Sequence, residues 1–473
     1  MRGWGVDEAL GRVSAVNTMA MGNAKGDFRI RRGTQLHNIS SDRSAAGEGS
    51  MVFLKAADQF VSIVPGAEDF HLKEGATAVD AGRNLAEEAR SRRAALPPAA
   101  LHGRPSTVAA DIDGQERIAE NAGDIGADEI ESSLTGVWFV DATQAGDGTS
   151  WKAAFASIHQ AVAAARPGEQ IWIREGRYEL EGEIRIDKPL SLYGGFTGTE
   201  RRLEQRNRRE RLTVLDGRRL NRCLNLAASD VRVDGLVFQS GYAGSGGAVF
   251  AQNVSGVLIE NCRFESNSAG SGGGLYAHLS AGVVRNCVFA DNLATARGGA
   301  VYTDSSALTL ANCIFVGNAA GSSTSFINGG GAVYSNQRGA VITNCSFYAN
   351  RTRFPINRGG AVYSFNADTR LFNSILWGNH AVTDPQLSNF LSDDALTEHC
   401  NIDQDGFDGI AGNIRAEPSW VAPAEEDFRL LEDSPCIDAG TTEASGLPDS
   451  DFDGNPRISG FTVDMGAFEF MVD

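Results

Sequence analysis

The chain has 473 residues, enough for two or three ordinary domains or for one elongated repeat protein. Its formal net charge of −18 argues against nucleic acid or an anionic membrane surface as a partner, because binding to either depends on Lys and Arg. No stretch approaches the roughly 20 apolar residues that cross a bilayer, and Asp7 and Glu8 stand where a signal peptide needs an apolar run.

Residues 1–132 contain a segment that returns near the C-terminal end of the chain. From residue 111 to residue 129 the match to residues 451–469 runs without a gap, at a constant offset of 340. The first copy has the phrases Asp69–Leu72, Val79–Gly82, Asp111–Gly114, Arg117 and Asp124–Glu129. The second copy has Asp427–Leu430, Ser434–Gly440, Asp451–Gly454, Arg457 and Asp464–Glu469. We therefore predict that residues 1–132 are the tail and closing segment of an upstream unit, and that the sequence is a truncated piece of a tandem protein.

Residues 133–170 are predicted to cap the start of a second unit. Val137–Asp141 has the composition of a strand, and a helix is expected over residues 152–166. The apolar face of this helix is formed by Trp151, Phe155, Ile158, Val162 and Ala165. Pro167 and Gly168 end the helix, after which Ile171–Tyr178 starts the first coil. This block resembles the N-terminal cap of bacterial pectate-lyase-like β-helix proteins, which implies a fold but no catalytic residue.

One phrase occurs five times between residues 246 and 379: Gly-Gly-Ala-Val-aromatic, about ten residues, Asn-Cys, then Phe and Asn. The Gly pairs begin at Gly246, Gly272, Gly298, Gly330 and Gly359, with spacings of 26, 26, 32 and 29 residues. A period in this range predicts a solenoid, because one such repeat cannot bury its apolar face without stacking on its neighbours.

Positions within the repeat predict which side chains face the core. Two residues before the Asn the residue is always aliphatic, whereas one residue before it the type varies and is expected to face outward. The Asn is predicted to adopt the left-handed conformation at a tight corner, and the first Gly of each pair a positive φ. The Cys is expected to point inward as a small apolar residue. Metal ligation or a disulfide is the alternative, which Ser374 at the fifth position disfavours.

This pattern resembles the right-handed parallel β-helix, and over residues 246–379 it resembles the repeats of chlamydial polymorphic outer membrane proteins. We therefore predict an all-β fold, a right-handed parallel β-helix with a short N-terminal capping helix. About nine coils are expected over residues 171–415, with a closing segment over residues 416–473. That segment is similar to the closing segment of bacterial secreted β-helix proteins, which implies a link to the cell surface.

The connections between the Phe-x-x-Asn phrase and the next Gly pair differ in length. They are longest at residues 319–329 and 351–358, and insertions on one side of a solenoid tend to form its binding face. Aromatic rings can stack on sugars, and Arg can pair with uronate carboxylates. The candidate carbohydrate-binding residues are Phe326, Asn328, Arg351, Arg353, Phe354, Asn357, Arg358, Trp377 and His380. The alternative is a solvated loop with incidental charges.

The closing segment offers a candidate calcium site. Hard cations take oxygen ligands, and the segment gathers Asp451, Asp453, Asp464 and Glu469. The alternative is an Asp-Gly turn in which Arg457 pairs with a buried carboxylate. Apart from this candidate Ca²⁺, we expect no cofactor.

Catalysis is left open by the coil positions. The outward positions carry Ser, Asn and Thr with scattered acids at Asp304 and Asp368, and neither a tight acid pair nor a Gly-x-Ser-x-Gly motif stands out. We expect an extracellular or cell-surface protein, monomeric or part of a longer tandem protein, that binds a polysaccharide or cell-surface glycan in adhesion without catalysis. The alternatives are a polysaccharide lyase or glycoside hydrolase acting on an acidic polysaccharide, and a structural stalk module.

Overall fold

The computed structural model describes residues 136–391 and 396–471, together with the backbone of eight short strands between residues 6 and 72. The chain divides into two compact units, Met1–Thr135 and Gly136–Asp473. Each unit is a separate body with its own strands.

The described residues of the first unit form three parallel strand pairs and one antiparallel pair. Val6 lies opposite Phe28, Val13 opposite Gly33 and Met19 opposite Ile39, so paired residues are 22, 20 and 20 positions apart. The parallel pairs are Val6–Asp7 with Phe28–Arg29, Val13–Val16 with Gly33–Leu36, and Met19–Ala20 with Ile39–Ser40. The antiparallel pair is Phe60–Ser62 with Asp69–Leu72. The predicted phrases between Val79 and Glu129 lie outside the described residues.

The second unit is a right-handed parallel β-helix, as predicted. Its strands stack into four sheets, named A to D in the order in which a coil meets them after each Gly pair. Sheet A comprises Ile184–Ile186, Leu224–Leu226, Val249–Gln252, Leu275–His278, Val301–Asp304, Val333–Asn336, Val362–Phe365 and Leu387–Phe390. Sheet B comprises Val137–Val140, Gln170–Arg174, Ser191–Phe196, Arg232–Asp234, Val257–Glu260, Ala281–Arg285, Ala307–Ala311, Val341–Thr343, Arg370–Phe372 and Leu396–Glu398.

Sheet C follows sheet B along the coil, and sheet D is present in five of the coils. Sheet C comprises Gly176–Glu179, Thr213–Asp216, Leu236–Gln239, Arg263–Glu265, Val288–Ala290, Ile314–Val316, Ser346–Tyr348, Ile375–Trp377 and Asn401–Ile402. Sheet D comprises Tyr242–Ser245, Ser268–Ser271, Leu293–Arg297, Ala319–Ala320 and Arg351–Thr352. The nine strands of sheet C agree with the predicted number of coils.

The corners of the coils have the predicted backbone. The Asn between sheets B and C has a φ between 48° and 53° in all five repeats, and the first Gly of each pair has a φ between 60° and 65°. A side chain at the second Gly would collide with the next coil, since a Cβ on Gly247 would lie 2.4 Å from the carbonyl oxygen of Gly273. The Gly pair therefore combines one positive φ with one close backbone approach.

The interior consists of ladders of identical side chains. The rings of Phe238, Phe264, Phe289, Phe315 and Phe347 stack with centroids 4.4 to 5.0 Å apart. All seven cysteines are buried and free, so the prediction that the Cys row belongs to the core is confirmed. A second row of buried Asn runs beside the rings: Nδ2 of Asn267 donates to Oδ1 of Asn292 at 2.9 Å, and each amide bonds the next. These bonds satisfy polar groups that burial would otherwise penalise.

The N-terminal cap contains a shorter helix than predicted. Helix α1 spans Ile158–Ala164, and Ser157 caps it in a capping box with Gln160. Residues Trp151–Ala153 form a separate 3₁₀ turn. The ring of Trp151 packs 4.8 Å from that of Phe139, away from the helix. The Ser-x-x-Gln phrase starts the helix at residue 158 because its side chains satisfy the first free N–H groups there. The other 3₁₀ turns are Leu203–Gln205 and Pro423–Glu425.

The C-terminal segment lies along the side of the solenoid, whereas the sequence suggested a cover for its end. After an antiparallel pair, Trp420–Ala422 with Asp427–Leu430, it runs back over the outside of sheets B and C. Along the chain its contacts first reach earlier coils, from Asn373 Nδ2 to Thr441 O at 2.9 Å through Asn312 Nδ2 to Ser450 O at 2.6 Å to Arg209 with Asp453 at 3.0 Å. They then return to a later coil, where Asn344 Nδ2 donates to Asp464 O at 2.9 Å. The corner Asn residues thus hold the C-terminal segment, residues 416–471, which we call the strap.

The strap changes the environment of residues predicted to face solvent. One position before the corner Asn, the side chains of Glu260, Ala311, Thr343 and Phe372 are buried. Thr343 Oγ1, for example, donates to the carbonyl of Ser445 at 2.5 Å. The alternation of the strand was predicted correctly, but the predicted solvent exposure of its outer face was wrong. The strap covers Thr343, and Arg232 and Arg285 of neighbouring coils enclose Glu260.

Candidate functional site

The outer face of sheet A carries two rows of side chains, because successive strands pair in register and alternate residues point outward. The row at the second position of each strand is aromatic and consists of Phe250, Tyr276, Tyr302, Tyr334 and Tyr363. The row at the fourth position consists of Gln252, His278, Asp304, Asn336, Phe365 and Phe390. We call these rows together the sheet A face.

The rings of the sheet A face contact one another from coil to coil. Phe250 and Tyr276 stack at 5.4 Å, Tyr276 meets Tyr302 edge-on at 4.9 Å, and Tyr302 meets Tyr334 at 5.3 Å. Tyr302, Tyr334 and Tyr363 are buried beneath neighbouring side chains and loops, whereas Phe250 and Tyr276 remain half-buried. The accessible part of the face is therefore where the early coils lie, at Phe250, Tyr276 and the polar residues beside them.

Asp304 is the centre of a hydrogen-bonded cluster on this accessible part. Its Oδ2 lies 3.0 Å from His278 Nδ1 and accepts from the Tyr276 hydroxyl at 3.4 Å, while its Oδ1 accepts from Asn336 Nδ2 at 2.8 Å. The side chains of His278 and Asp304 are 29% and 18% exposed, so solvent or a ligand reaches both. Burial, followed by the charges of Tyr302 and Asp304, raises the pKa of Tyr276 well above its usual value, which keeps this phenol protonated.

Arg297 brings a positive charge to the same face. Its guanidinium lies 5.6 Å from the ring centroid of Tyr334, and its Nη1 is 3.5 Å from the Tyr302 hydroxyl. Its Nε donates to Asn328 Oδ1 at 3.3 Å. Within the described part of the chain, no carboxylate lies at ion-pair distance from it. Arg297 therefore offers an uncompensated charge in a protein of strongly negative net charge.

The long loops bring three of the predicted residues to the sheet A face. Phe326 is 55% exposed and meets Phe390 edge-on at 6.0 Å, and the Arg358 guanidinium lies 6.0 Å from the same ring. Arg358 also pairs with Asp384 at 3.4 Å. Asn328, the third, is buried against Arg297. Asn357 is buried too, and its Nδ2 holds the longer loop by donating to the carbonyls of Ser322 and Ser325.

The remaining predicted residues lie elsewhere. Arg351 and His380 are exposed neighbours bridged by their backbones beside sheet D. Arg353 lies over the ring of Phe354, with its guanidinium 5.7 Å from the centroid. Trp377 is on the outer face of sheet C, where it packs against the strap. The predicted set is thus divided between three surfaces, and the structure does not bring Trp377 near the loops.

The four carboxylates of the candidate calcium site are occupied by donors from the protein. Glu469 Oε2 accepts from Arg457 Nε at 3.0 Å and Nη2 at 2.8 Å, and both side chains are buried. Asp453 pairs with Arg429 and Arg209. Asp451 and Asp464 accept backbone N–H groups. In the described ranges, no group of three or more His, Cys, Asp or Glu side chains is arranged to hold a metal ion.

A signal for the polar cluster was present in the sequence. His278 and Asp304 are separated by one 26-residue repeat, as are Tyr276 and Tyr302. Residues one repeat apart face each other in a solenoid, so the period itself places them together. Within a single repeat Asp304 is only a scattered acid, and its pairing with His278 becomes visible when adjacent repeats are aligned.

Comparison with known proteins agrees with this fold. The family model described as a right handed beta helix region matches residues 223–326. Among solved structures, pectate lyase Pel9A has a TM-score of 0.37 and 14% identity, covering 70% of this chain and 96% of that chain. A pectin methylesterase from Aspergillus niger has a TM-score of 0.27 and 16% identity, covering 60% and 92%.

A third solved structure, the PL6 family alginate lyase AlyGC, has a TM-score of 0.18 and 13% identity, covering 62% of this chain and 58% of that chain. No curated protein matches the sequence at a significant level. TM-scores this low support no argument about function. No helix in the described part of the chain is long and apolar enough to span a membrane.

Proposed function

We propose that this protein binds carbohydrate as a secreted or cell-surface adhesin, and that the sheet A face with its long loops is the binding surface. The observation that carries the proposal is an aromatic row on a solenoid face that the strap leaves uncovered, next to an arginine without a carboxylate partner in the described chain. Sugars bind to surfaces that combine flat rings with a few oriented polar groups.

The charges on this surface favour an acidic glycan. Arg297 forms no ion pair with a carboxylate of the described residues, and Arg358 on the same face lies over the Phe390 ring and pairs with Asp384 at 3.4 Å. An arginine can bind a uronate carboxylate through two parallel hydrogen bonds, which gives orientation as well as affinity. The net charge of −18 disfavours non-specific binding of polyanions, so attraction would depend on these local arginines.

A glycan array with Phe326→Ala and Arg297→Ala variants tests the proposal. We expect the wild type to bind uronate-containing glycans, and each variant to bind at least about tenfold more weakly because it loses a ring or a charge contact. Phe461→Ala is the matched control, because Phe461 is a 99% exposed ring on the C-terminal segment. The proposal fails if no glycan is bound, or if both variants bind as the wild type does.

One observation favours a second function, that of a polysaccharide lyase or glycoside hydrolase. The Tyr276, His278 and Asp304 cluster combines a carboxylate, an imidazole and a protonated phenol on the proposed binding surface. It contains a single carboxylate, whereas a hydrolase of the usual type uses two, so the cluster fits a lyase better. Assays for new reducing ends and for 4,5-unsaturated products on the bound glycans separate these activities from adhesion.

A third function, that of a stalk module in a tandem protein, is favoured by the repeated strand pair. Phe60 lies opposite Leu72 and Ser62 opposite Asp69, which matches Trp420 opposite Leu430 and Ala422 opposite Asp427. A stalk needs no ligand. Absence of glycan binding together with end-to-end association in sedimentation experiments would support this function, and a simple monomer would oppose it.

A further inference from the structure

Residues 322–328 form a loop over the buried end of the aromatic row on the sheet A face. The carbonyl of Ile327 accepts from the Tyr334 hydroxyl at 2.9 Å. The ring of Phe326 meets that of Phe390 edge-on at 6.0 Å, and Phe390 lies two strands beyond Tyr334 in sheet A. The loop therefore spans the coil between these two strands, and the outward tyrosine of that coil is fully buried.

Glycines stand at both ends of this loop, where the backbone is anchored to neighbouring coils. Gly321 has a φ of 127° and Gly329 a φ of 144°, which other residues rarely adopt. Ala320 pairs with Thr352 in sheet D, and Gly329 N donates to Ala296 O at 3.1 Å. Residues at the ends of an element, glycine among them, absorb the change of dihedral angles when a loop closes or opens.

The contacts that hold the loop down are few, and most of them are polar. Asn357 Nδ2 donates to the carbonyls of Ser322 and Ser325 at 3.1 and 2.9 Å. The ring of Phe326 is 55% exposed, so its contact on the sheet A face buries little apolar surface. A segment with so few buried contacts opens at a lower free energy than the stacked strands do.

Polar atoms without partners lie against this loop. Tyr363 Oη and Asn357 Oδ1 are both shielded from solvent, and neither has a hydrogen-bond partner among the described residues. A buried polar atom without a partner destabilises the closed arrangement. Opening of the loop would let water or a ligand reach both atoms, and it would release Arg297 from Asn328, whose Oδ1 accepts from Arg297 Nε at 3.3 Å.

We propose that residues 322–328 are a lid that opens to extend the aromatic row of the sheet A face by Tyr334 and Tyr363, and that Asn357 is the latch that holds it closed. The accessible row ends at Tyr276 when the lid is closed, and a longer sugar chain can stack along it when the lid is open. The ligand of the open state rests on the proposed function, whereas the opening itself requires no ligand.

Tyrosine nitration by tetranitromethane, located by peptide mass spectrometry, tests the lid in the full chain without a ligand. Tyr242 is 54% exposed and serves as the accessible reference, and Tyr178 in the core serves as the buried reference. We expect Asn357→Ala to raise the nitration rates of Tyr334 and Tyr363 about tenfold, because two hydrogen bonds to the lid are lost. The rates of both references should be unchanged.

Two further variants make the nitration test specific. Asn389→Ala is the matched control, because Asn389 is an exposed asparagine in the last strand of sheet A, and it should leave all rates unchanged. Phe326→Ala removes a different contact of the lid and should raise the same two rates by a smaller factor, which preserves the test if Asn357→Ala does not fold. Thermal melts show which variants are folded. The lid is wrong if Tyr334 and Tyr363 react as slowly as Tyr178 in the folded variants, or if all three rates rise together.

Glycan binding separates the lid from the proposed function. Only the open fraction of the molecules binds along the extended row, so Asn357→Ala should bind a uronate-containing glycan more tightly than the wild type, by up to the factor seen in nitration. Faster nitration with unchanged glycan affinity would overturn the role of the lid as a gate. Faster nitration without any glycan binding would support the opening and overturn the proposed function.

Discussion

The outer faces of sheet C and sheet A are built by the same stacking rule but end in different environments. On sheet C the rows contain Ile314, Ile375, Tyr348 and Trp377, and the strap covers them with Trp420, Phe428 and Met465. On sheet A the rows contain Phe250, Tyr276 and His278, which remain half-buried and accessible. In both sheets the repeat places like side chains one above the other, so a ring in one coil produces a row of rings.

The comparison shows how to separate structural from functional ladders in this molecule. An apolar row that the chain covers with its own segment contributes to folding. An accessible row of rings next to Arg297, which has no carboxylate partner among the described residues, is not explained by folding stability alone. The corner Asn residues are polar but also contribute to folding, since the amides of Asn312, Asn344 and Asn373 hold the strap.

The largest expected effect contrasts a ring of the strap itself with a ring on the sheet A face. Phe428 is 1% exposed, and Phe428→Ala should lower the free energy of unfolding by about 3–5 kcal/mol through lost burial and a cavity. Phe250→Ala should cost about 1–2 kcal/mol, because that ring is only partly buried. Urea unfolding measures both. Equal losses of unfolding free energy in the two variants would show that the ring on the sheet A face contributes as much to stability as the ring of the strap.

A smaller loss is expected from the buried Asn row that supports both faces. Asn318 Nδ2 donates to Phe289 O at 2.8 Å, and its Oδ1 accepts from the backbone N and the Nδ2 of Asn292. Asn318→Ala leaves several of these groups buried without partners, which should cost about 2–4 kcal/mol. Asn336→Ala on the sheet A face should cost less than about 1 kcal/mol, since water can replace its contacts. Similar losses of unfolding free energy in the two variants would show that the buried Asn row stabilises the protein no more than Asn336 on the surface does.

The regular part of this molecule was predictable from the sequence, because identical residues at a fixed period must stack. The corner conformation of Asn261, the burial of Cys262 and the Phe264 row all follow from one repeat. The position of the strap was not predictable. It depends on contacts such as Asn344 to Asp464, 120 residues apart, which no local pattern encodes. The candidate site was predictable in part, because His278 and Asp304 are one period apart and therefore lie in neighbouring coils.

A still smaller effect is expected from pH, and we attribute it to two carboxyl groups of the strap. Burial raises the pKa of Glu469 to about 7 and also raises that of Asp464, with the charge of Arg457 opposing both shifts. A carboxyl group with a raised folded pKa binds its proton more tightly in the folded state. Its stabilising contribution is therefore complete below the unfolded pKa of about 4.5 and is lost as the pH rises through about 7.

We expect the free energy of unfolding to fall by on the order of 1–2 kcal/mol between about pH 4.5 and pH 7, after allowance for solvent screening. Glu469→Gln should be less stable overall but should lose most of this slope, because the titrating group is gone. Asp141, whose pKa is lowered by hydrogen bonds and by Arg174 against the opposing effect of burial, titrates below this range and serves as the comparison through Asp141→Asn. An unchanged slope in Glu469→Gln would assign the pH dependence to other groups.

The smallest expected effect is that of calcium on the strap, where we expect the melting temperature to stay constant during a Ca²⁺ titration. Asp451 accepts from the backbone N and the side chain of Asn455 and from Glu469 N. Glu469 Oε2 accepts from Arg457, and Asp464 accepts from Asp438 N and Phe470 N. A cation would have to displace these donors and face the Arg457 charge, so binding would cost more contacts than it forms. A melting temperature that rises with Ca²⁺, and does so less in Asp451→Asn, would show that the strap can rearrange into a metal site and that its carboxylates are not fixed by the protein alone.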